Sequence, residues 1–492
     1  MSKKAVLGVL AAAIAVAYGG STWWAGSQVK SRYDTAFNEL AKQTALVRVT
    51  DRQYERGFFG AVSTVTLEIG CAPETAAATP PAQPADGEEA EAEDGEDEAI
   101  IKPPKQLRIT LRDTIRHGPL AGGALAAATI DSELVLDPKA QAEVRKLFGD
   151  AKPLSAHTKV GFDGGFTTDM AVAPARLAED GKGQLAWQGA QARMQVNAAR
   201  TQVHYELTMP GLDFSDTRSG LTVKMGKLST KADMDSSAGW FLATGKTEGR
   251  LDTLEFAVKK ADAGADPAKA LPTVVFQGID LSGEASIKDG LYASVGTLKG
   301  SGKIGETQFD KFEMTSGARN IQAAGYRKLV DAWMQSSAAN GCGKGGRKAS
   351  QAAMQALADQ LAPDLKAMAK YAPSFGIDKM QVEIGGKRGE ISYTAGLAGV
   401  TDEDLQLPGT ALLMKRGVLK ANARLPVQWL EKVAETGAQT GQTPPPEMVA
   451  GLVEQGEAQG YVKRDGDDVT GQVEYSDGAL KINGKPLGSM GK

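Results

Sequence analysis

Leu107-Arg-Ile-Thr-Leu-Arg-Asp-Thr-Ile115 is the most regular stretch of the chain. Leu107, Ile109, Leu111 and Ile115 fall on one face of an extended backbone. Arg108, Thr110, Arg112 and Thr114 fall on the other. A period of two predicts a strand in a sheet that is wetted on one side only. His117-Gly-Pro-Leu120 ends it.

Outward from this strand the pattern repeats. Ala61 to Ile69 is rich in β-branched residues and follows the turn Arg56-Gly57-Phe58-Phe59-Gly60, which predicts a hairpin with Val47–Tyr54. Thr129–Leu136 predicts the next strand, and Asp137-Pro138 predicts an N-cap with proline at the first position of a helix through Phe148. From Lys159 to Met314 short strands follow one another, among them Val203–Met209, Leu221–Leu228, Leu251–Val258, Val274–Leu281 and Phe309–Met314. Gly, Asp and Asn separate them, as in an antiparallel meander. Helical spacing interrupts the strands at Asn320–Ser336 and Arg347–Tyr371, with Pro363 as a kink or break and Gly341–Gly346 as a flexible connector. The apolar face of this pair is expected to cover the sheet. Strands return at Met380–Ile384, Glu390–Thr394, Leu412–Leu425 and Val469–Tyr475, with a short helix expected over Pro426–Glu435. Tyr475-Ser-Asp-Gly478 is a tight hairpin signal.

The N-terminus has a different character. Lys3 and Lys4 precede Ala5–Val29, a run without a charged residue that contains the pair Trp23–Trp24. A helix over Ala5–Trp24 would be about 30 Å long, enough for a bilayer core. The basic flank predicts that everything after it lies outside, with Trp23 and Trp24 at the membrane interface. Small residues such as Ala25 and Ser27 also fit a cleavage site, but the two tryptophans argue for retention.

The chain has 492 residues and a formal net charge of −4. Ten carboxylates and no Lys or Arg lie between Ala72 and Ala99, so the rest of the chain is net positive. This stretch has almost nothing apolar to bury and is read as a disordered insertion. No dense basic stripe suggests nucleic acid. Cys71 and Cys342 are the two cysteines; one long-range disulfide and two separate thiols both fit an exported chain.

Catalytic spacings are absent from the sequence: no H-E-x-x-H, no C-x-x-C, no G-x-S-x-G. Gly300-Ser-Gly-Lys303 fails as a phosphate loop, because Thr297 and Ile304 stand where a glycine and a hydroxyl residue are needed. His117, His157 and His204 lie in separate elements without a visible partner. No catalytic residue, cofactor or metal ligand is expected.

Tyr54-Glu-Arg-Gly-Phe-Phe-Gly-Ala61, His117-Gly-Pro-Leu120 and Tyr475-Ser-Asp-Gly-Ala-Leu-Lys-Ile-Asn-Gly-Lys-Pro-Leu487, in this order behind the N-terminal run, resemble the YdgA-like family. These are Gram-negative inner-membrane-associated envelope proteins with no assigned biochemical role and no accepted catalytic residues. The acidic insertion after Cys71 is the main departure. The glycine-punctuated strands are also similar to those of AsmA-type envelope proteins, a group linked to phospholipid homeostasis.

The expected fold is α+β and β-dominated: an N-terminal transmembrane helix, then a large antiparallel meandering sheet covered by a few helices. The expected divisions are an anchor over 1–29, a stalk helix and first hairpin over 30–71 and the acidic insertion over 72–105. A β body over 106–318, the helical pair over 319–372 and a continuing β portion over 373–492 follow. The expected role is a non-enzymatic envelope protein with a single inner-membrane span and a periplasmic body. Its expected ligand is lipid or another hydrophobic molecule. The alternative is a scaffold or assembly factor that binds another envelope protein or a second copy of itself.

Overall fold

The computed structural model describes residues 30, 47–69, 107–179, 183–217, 219–258, 272–340, 346–430 and 446–489. The expected anchor with Trp23 and Trp24, the stalk helix beyond Lys30, the acidic insertion, and both Cys71 and Cys342 lie outside them. Among the described residues no helix is long and apolar enough to cross a membrane.

The 24 strands of the described residues form one sheet, and every strand pairing is antiparallel. From Val47–Arg56 to Phe166–Val172 each strand pairs with the next in sequence. The order then skips. Phe166–Val172 pairs with Ala190–Val196, and Gln202–Met209 pairs with Leu228–Asp235. The strands passed over, Ala175–Glu179, Gly183–Trp187, Leu212–Asp216 and Leu221–Met225, pair among themselves. They rejoin at Thr244–Val258, whose first half faces Leu228–Asp235 and whose second half faces Leu221–Met225. Hairpin order then resumes through Val274–Lys288, Leu291–Ile304 and Thr307–Gln322.

The sequence patterning was right about the faces and short about the lengths. Val274–Lys288 and Thr307–Gln322 run well past the stretches that alternate cleanly. They do so because each has paired neighbours on both sides, which hold its backbone groups whatever the side chains. Two boundaries need correction. Asn320–Gln322 belongs to the strand, and the helix is Ala323–Asn340. Leu412–Leu425 is not one strand: Gly409–Arg416 is a helix and the strand is Gly417–Pro426. Ala411-Leu-Leu-Met-Lys-Arg416 are all good helix formers, and Leu412 buries its side chain.

The helical pair also departs from expectation. Ala323–Asn340 and Gly346–Ala369 pack on each other, and Ala323–Asn340 meets the turn Trp240–Leu242 and the strand Thr307–Gln322. They do not cover the apolar face. Leu281 is 42% exposed, Ile391 36% and Phe375 60% on that face. The tightly packed core is instead at the other end of the sheet, where Ala61, Val65, Ile115 and Ala128 cluster on the first strands. A smaller core forms where the helix Pro446–Gln459 lays Val449 and Val453 against Val469.

Candidate functional site

In an antiparallel sheet, directly paired residues point to the same face. Following the pairings therefore traces one row of side chains across the molecule. The row starts Tyr54, Ser63, Asp113, Ser132, Ala156, Met170, Ala192, Leu207. It continues Thr230, Gly249, Leu281, Leu298, Met314, Met380, Ile391, Ala423, Gly471. At ~4.8 Å per strand it is ~75 Å long. The two rows beside it run from Thr158 to Val473 and from Val160 to Tyr475. From Leu154–Val160 outward, these three rows contain no Asp, Glu, Lys or Arg. The hydroxyls on this face bond one another: Thr158 to Thr168 at 2.9 Å, and Thr230 to Tyr205 at 3.1 Å.

The opposite face carries the charge. Asp131, His157, Asp169, Arg193, Glu206, Lys231 and Glu248 form one row of almost strictly alternating sign. His157 Nδ1 lies 2.7 Å from Asp131, Arg193 3.6 Å from Asp169 and Lys231 2.9 Å from Glu248. A recess of about 750 Å³ opens on this face around Arg116, Asp131, Lys152, His157 and Arg193. Its acids and bases are matched across strands, so it is read as sheet-stabilising. The Asp131 carboxyl is held below its usual range, first by its hydrogen bond to His157. His204 is pushed up, first by Asp233 at 2.7 Å. Glu313, held by Lys379 and Lys311, is lowered to about 2.

A second recess of about 600 Å³ lies on the uncharged side. Met234, Tyr292, Phe375, Ile377 and Tyr393 bound it, and Gly245, Gly283, Gly296, Ala285, Ser294, Ser316 and Ala318 lie within it. It spans the strands from Leu228–Asp235 to Lys387–Leu397, ~29 Å in the direction of strand pairing. The first turn of the helix Ala323–Asn340 closes one side through Tyr326, stacked on Tyr292 at 6.3 Å.

Two glycines in this trough are informative. Gly283 and Gly296 are cross-strand partners. A Cβ added at Gly283 would meet nothing nearer than the Val295 carbonyl at 3.8 Å, and one at Gly296 nothing nearer than the Ser282 carbonyl at 3.9 Å. Neither has a positive φ. Gly302 differs, because a Cβ there would sit 2.1 Å from a backbone oxygen. A mid-strand glycine costs roughly 0.5–1 kcal/mol relative to alanine. At Gly283 and Gly296 the backbone does not require it, and the effect of its absence of side chain is an open trough.

At the same ends of the strands the connector 398–416 is locked by Asp404, which is fully buried. Thr401 donates to it from its backbone N–H at 2.9 Å and its hydroxyl at 2.8 Å; Arg416 Nε donates at 2.7 Å and Lys415 Nζ lies 2.7 Å away. These partners, Lys415 first, hold the Asp404 carboxyl far below the usual carboxylate range. Tyr475 ties the same connector to the sheet by donating to the Met414 carbonyl at 2.6 Å.

Of the residues singled out in the sequence, Trp23, Trp24, Cys71 and Cys342 lie outside the described residues. The three histidines are not brought together: His157 and His204 sit on the charged face, and His117 is buried at the start of the third apolar row. No group of three or more His, Cys, Asp or Glu that could hold a metal occurs among the described residues. The trough glycines and Asp404 were missed. No local motif marks them, and their partners appear only once the strands are paired.

The family model described as a bacterial protein of unknown function, DUF945, matches residues 1–488. No curated protein and no solved structure matches the chain.

Proposed function

The chain belongs to the DUF945 family, and from that premise we propose that it is a non-enzymatic envelope protein that holds the acyl part of a lipid against its uncharged sheet face. The observation that carries this reading is the open face itself. Three adjacent rows without a charge remain half exposed at Leu281, Ile391 and Phe375, while the reverse face is laced with ion pairs. Exposing so much apolar surface to water is unfavourable by roughly 25 cal/mol per Å². A ligand that covers it recovers that term. The rows of side chains that floor the trough carry no charge, and Glu284 is the one charged residue along its lining among the described residues, which suits a hydrocarbon chain better than a polar metabolite. The uncharged run Ala5–Val29, read as a membrane span, would keep such a face near a source of lipid.

The test is native mass spectrometry of the full chain extracted gently from membranes. The expected result is a population carrying one or more phospholipid masses. Protein free of lipid under conditions that preserve lipid on a known lipid carrier would overturn the reading and favour a protein partner for the same face.

A further inference from the structure

Three turns meet at the first end of the sheet: 57–59, 118–127 and 161–165. They are bound to one another through the backbone. His117 N donates to the Phe59 carbonyl at 3.1 Å, and Ala127 N to the Val160 carbonyl at 2.9 Å. Turns that face water are ordinarily polar. These present Phe58, Phe59, Leu120, Leu125 and Phe162, each between 53% and 71% exposed. Phe58 and Phe59 pack edge to face at 4.8 Å, forming a blunt apolar tip.

The other ends of the same strands have the opposite character. The connection from Gly60–Ile69 to Leu107–His117 carries the ten carboxylates. The next one carries Asp137 and the helix Pro138–Phe148, whose surface is rich in Lys, Arg and Glu. The strands are thus polarised, apolar at one end and strongly charged at the other. The contact of Lys30 lies toward the apolar end. Its ammonium stands 5.5 Å over the ring of Tyr54, three residues before the first apolar turn. The uncharged run Ala5–Val29 immediately precedes Lys30 in the sequence.

We propose that the three turns are a second membrane contact, with Phe58, Phe59, Leu120, Leu125 and Phe162 seated in the interfacial layer of the bilayer that Ala5–Val29 enters. The proposal rests on reading that run as an anchor. Side chains of this kind are stabilised at the boundary between headgroups and acyl chains, and an isolated patch of them in water is not. Two attachments side by side fix orientation as well as proximity, and avidity makes the second nearly free once the first has formed.

The full chain in vesicles of phosphatidylethanolamine and phosphatidylglycerol tests this. In a background of Cys71→Ser and Cys342→Ser, single substitutions Phe58→Cys, Leu125→Cys and Phe162→Cys carry a bimane label. Glu306→Cys, in a turn at the opposite ends of the strands, is the control. Lipid bearing a nitroxide near the headgroup should quench the three tip labels several-fold more than the control. Quenching no greater than at Glu306, in protein that floats with the vesicles, would overturn this inference alone and assign the tip to a protein partner. Failure of the whole chain to float with vesicles would overturn the anchor reading and this inference together.

Discussion

Replacing Gly283 and Gly296 together with leucine is expected to reduce bound lipid by about tenfold or more, equivalent to ~1.4 kcal/mol of affinity. The melting temperature should stay the same or rise. Both halves follow from geometry. The two glycines face each other across a strand pair, and an added Cβ has open space. Leucine there relieves the entropic cost of a mid-strand glycine and packs on its new neighbour. The same side chains fill the floor of the trough. A variant that folds well and loses lipid would separate binding from stability. A variant that keeps its full lipid load would place the ligand elsewhere on the face. Alkaline or thermal unfolding of the variant at lower temperature than wild type would show that the trough is structural.

Asp404→Asn should lower the melting temperature by on the order of 10 °C at neutral pH, followed by circular dichroism. The carboxylate is buried between Lys415 and Arg416, and an amide cannot balance two cations. The pH dependence has a definite sign. The folded-state pKa of Asp404 is depressed, so its contribution is fully present above the unfolded value, near 4. It is lost as pH falls through the folded value. The gap between wild type and Asp404→Asn should therefore be widest at neutral pH and narrow progressively once the pH falls below about 4. A gap that holds from pH 7 to about pH 5 and begins to narrow below about pH 4, where the unfolded carboxyl takes up a proton that the folded one does not, fits this account. A gap that closes by pH 5 contradicts it. Glu313, lowered to about 2 by Lys379 and Lys311, adds an acid-sensitive term of the same sign to both proteins and cancels in the comparison.

Local chemistry was legible in the sequence wherever a few neighbouring residues determine it. The strand Leu107–His117 follows from alternation. Asp137 caps its helix by accepting from Ala140 N at 2.8 Å, as Asp-Pro predicts. Asp477 and Gly478 make the tight turn signalled by Tyr475-Ser-Asp-Gly478, with φ of 50° and 74°. Long-range order was less legible. Nothing near Phe166–Val172 announces that its partner is Ala190–Val196 and not the next strand. The helical pair has an apolar stripe, so covering the sheet was a reasonable expectation. Its two members pack on each other, Ala323–Asn340 also meets Trp240–Leu242, and Trp333 and Leu365 stay exposed. The trough was hidden for the same reason as the row from Tyr54 to Gly471. Each strand contributes one or two small residues, and only the register places them side by side.

Ser316 and Thr315 are neighbours in the strand Thr307–Gln322 and point to opposite faces. Ser316 lines the trough, whereas Thr315 bonds Thr297 at 3.2 Å on the charged side. The most direct measurement replaces each in turn with the photo-crosslinking residue p-benzoylphenylalanine in the full chain in living cells, with irradiation and mass spectrometry of the product. The account predicts phospholipid adducts from position 316 and none from position 315. No adduct at 316, or equal adducts at both positions, would contradict it.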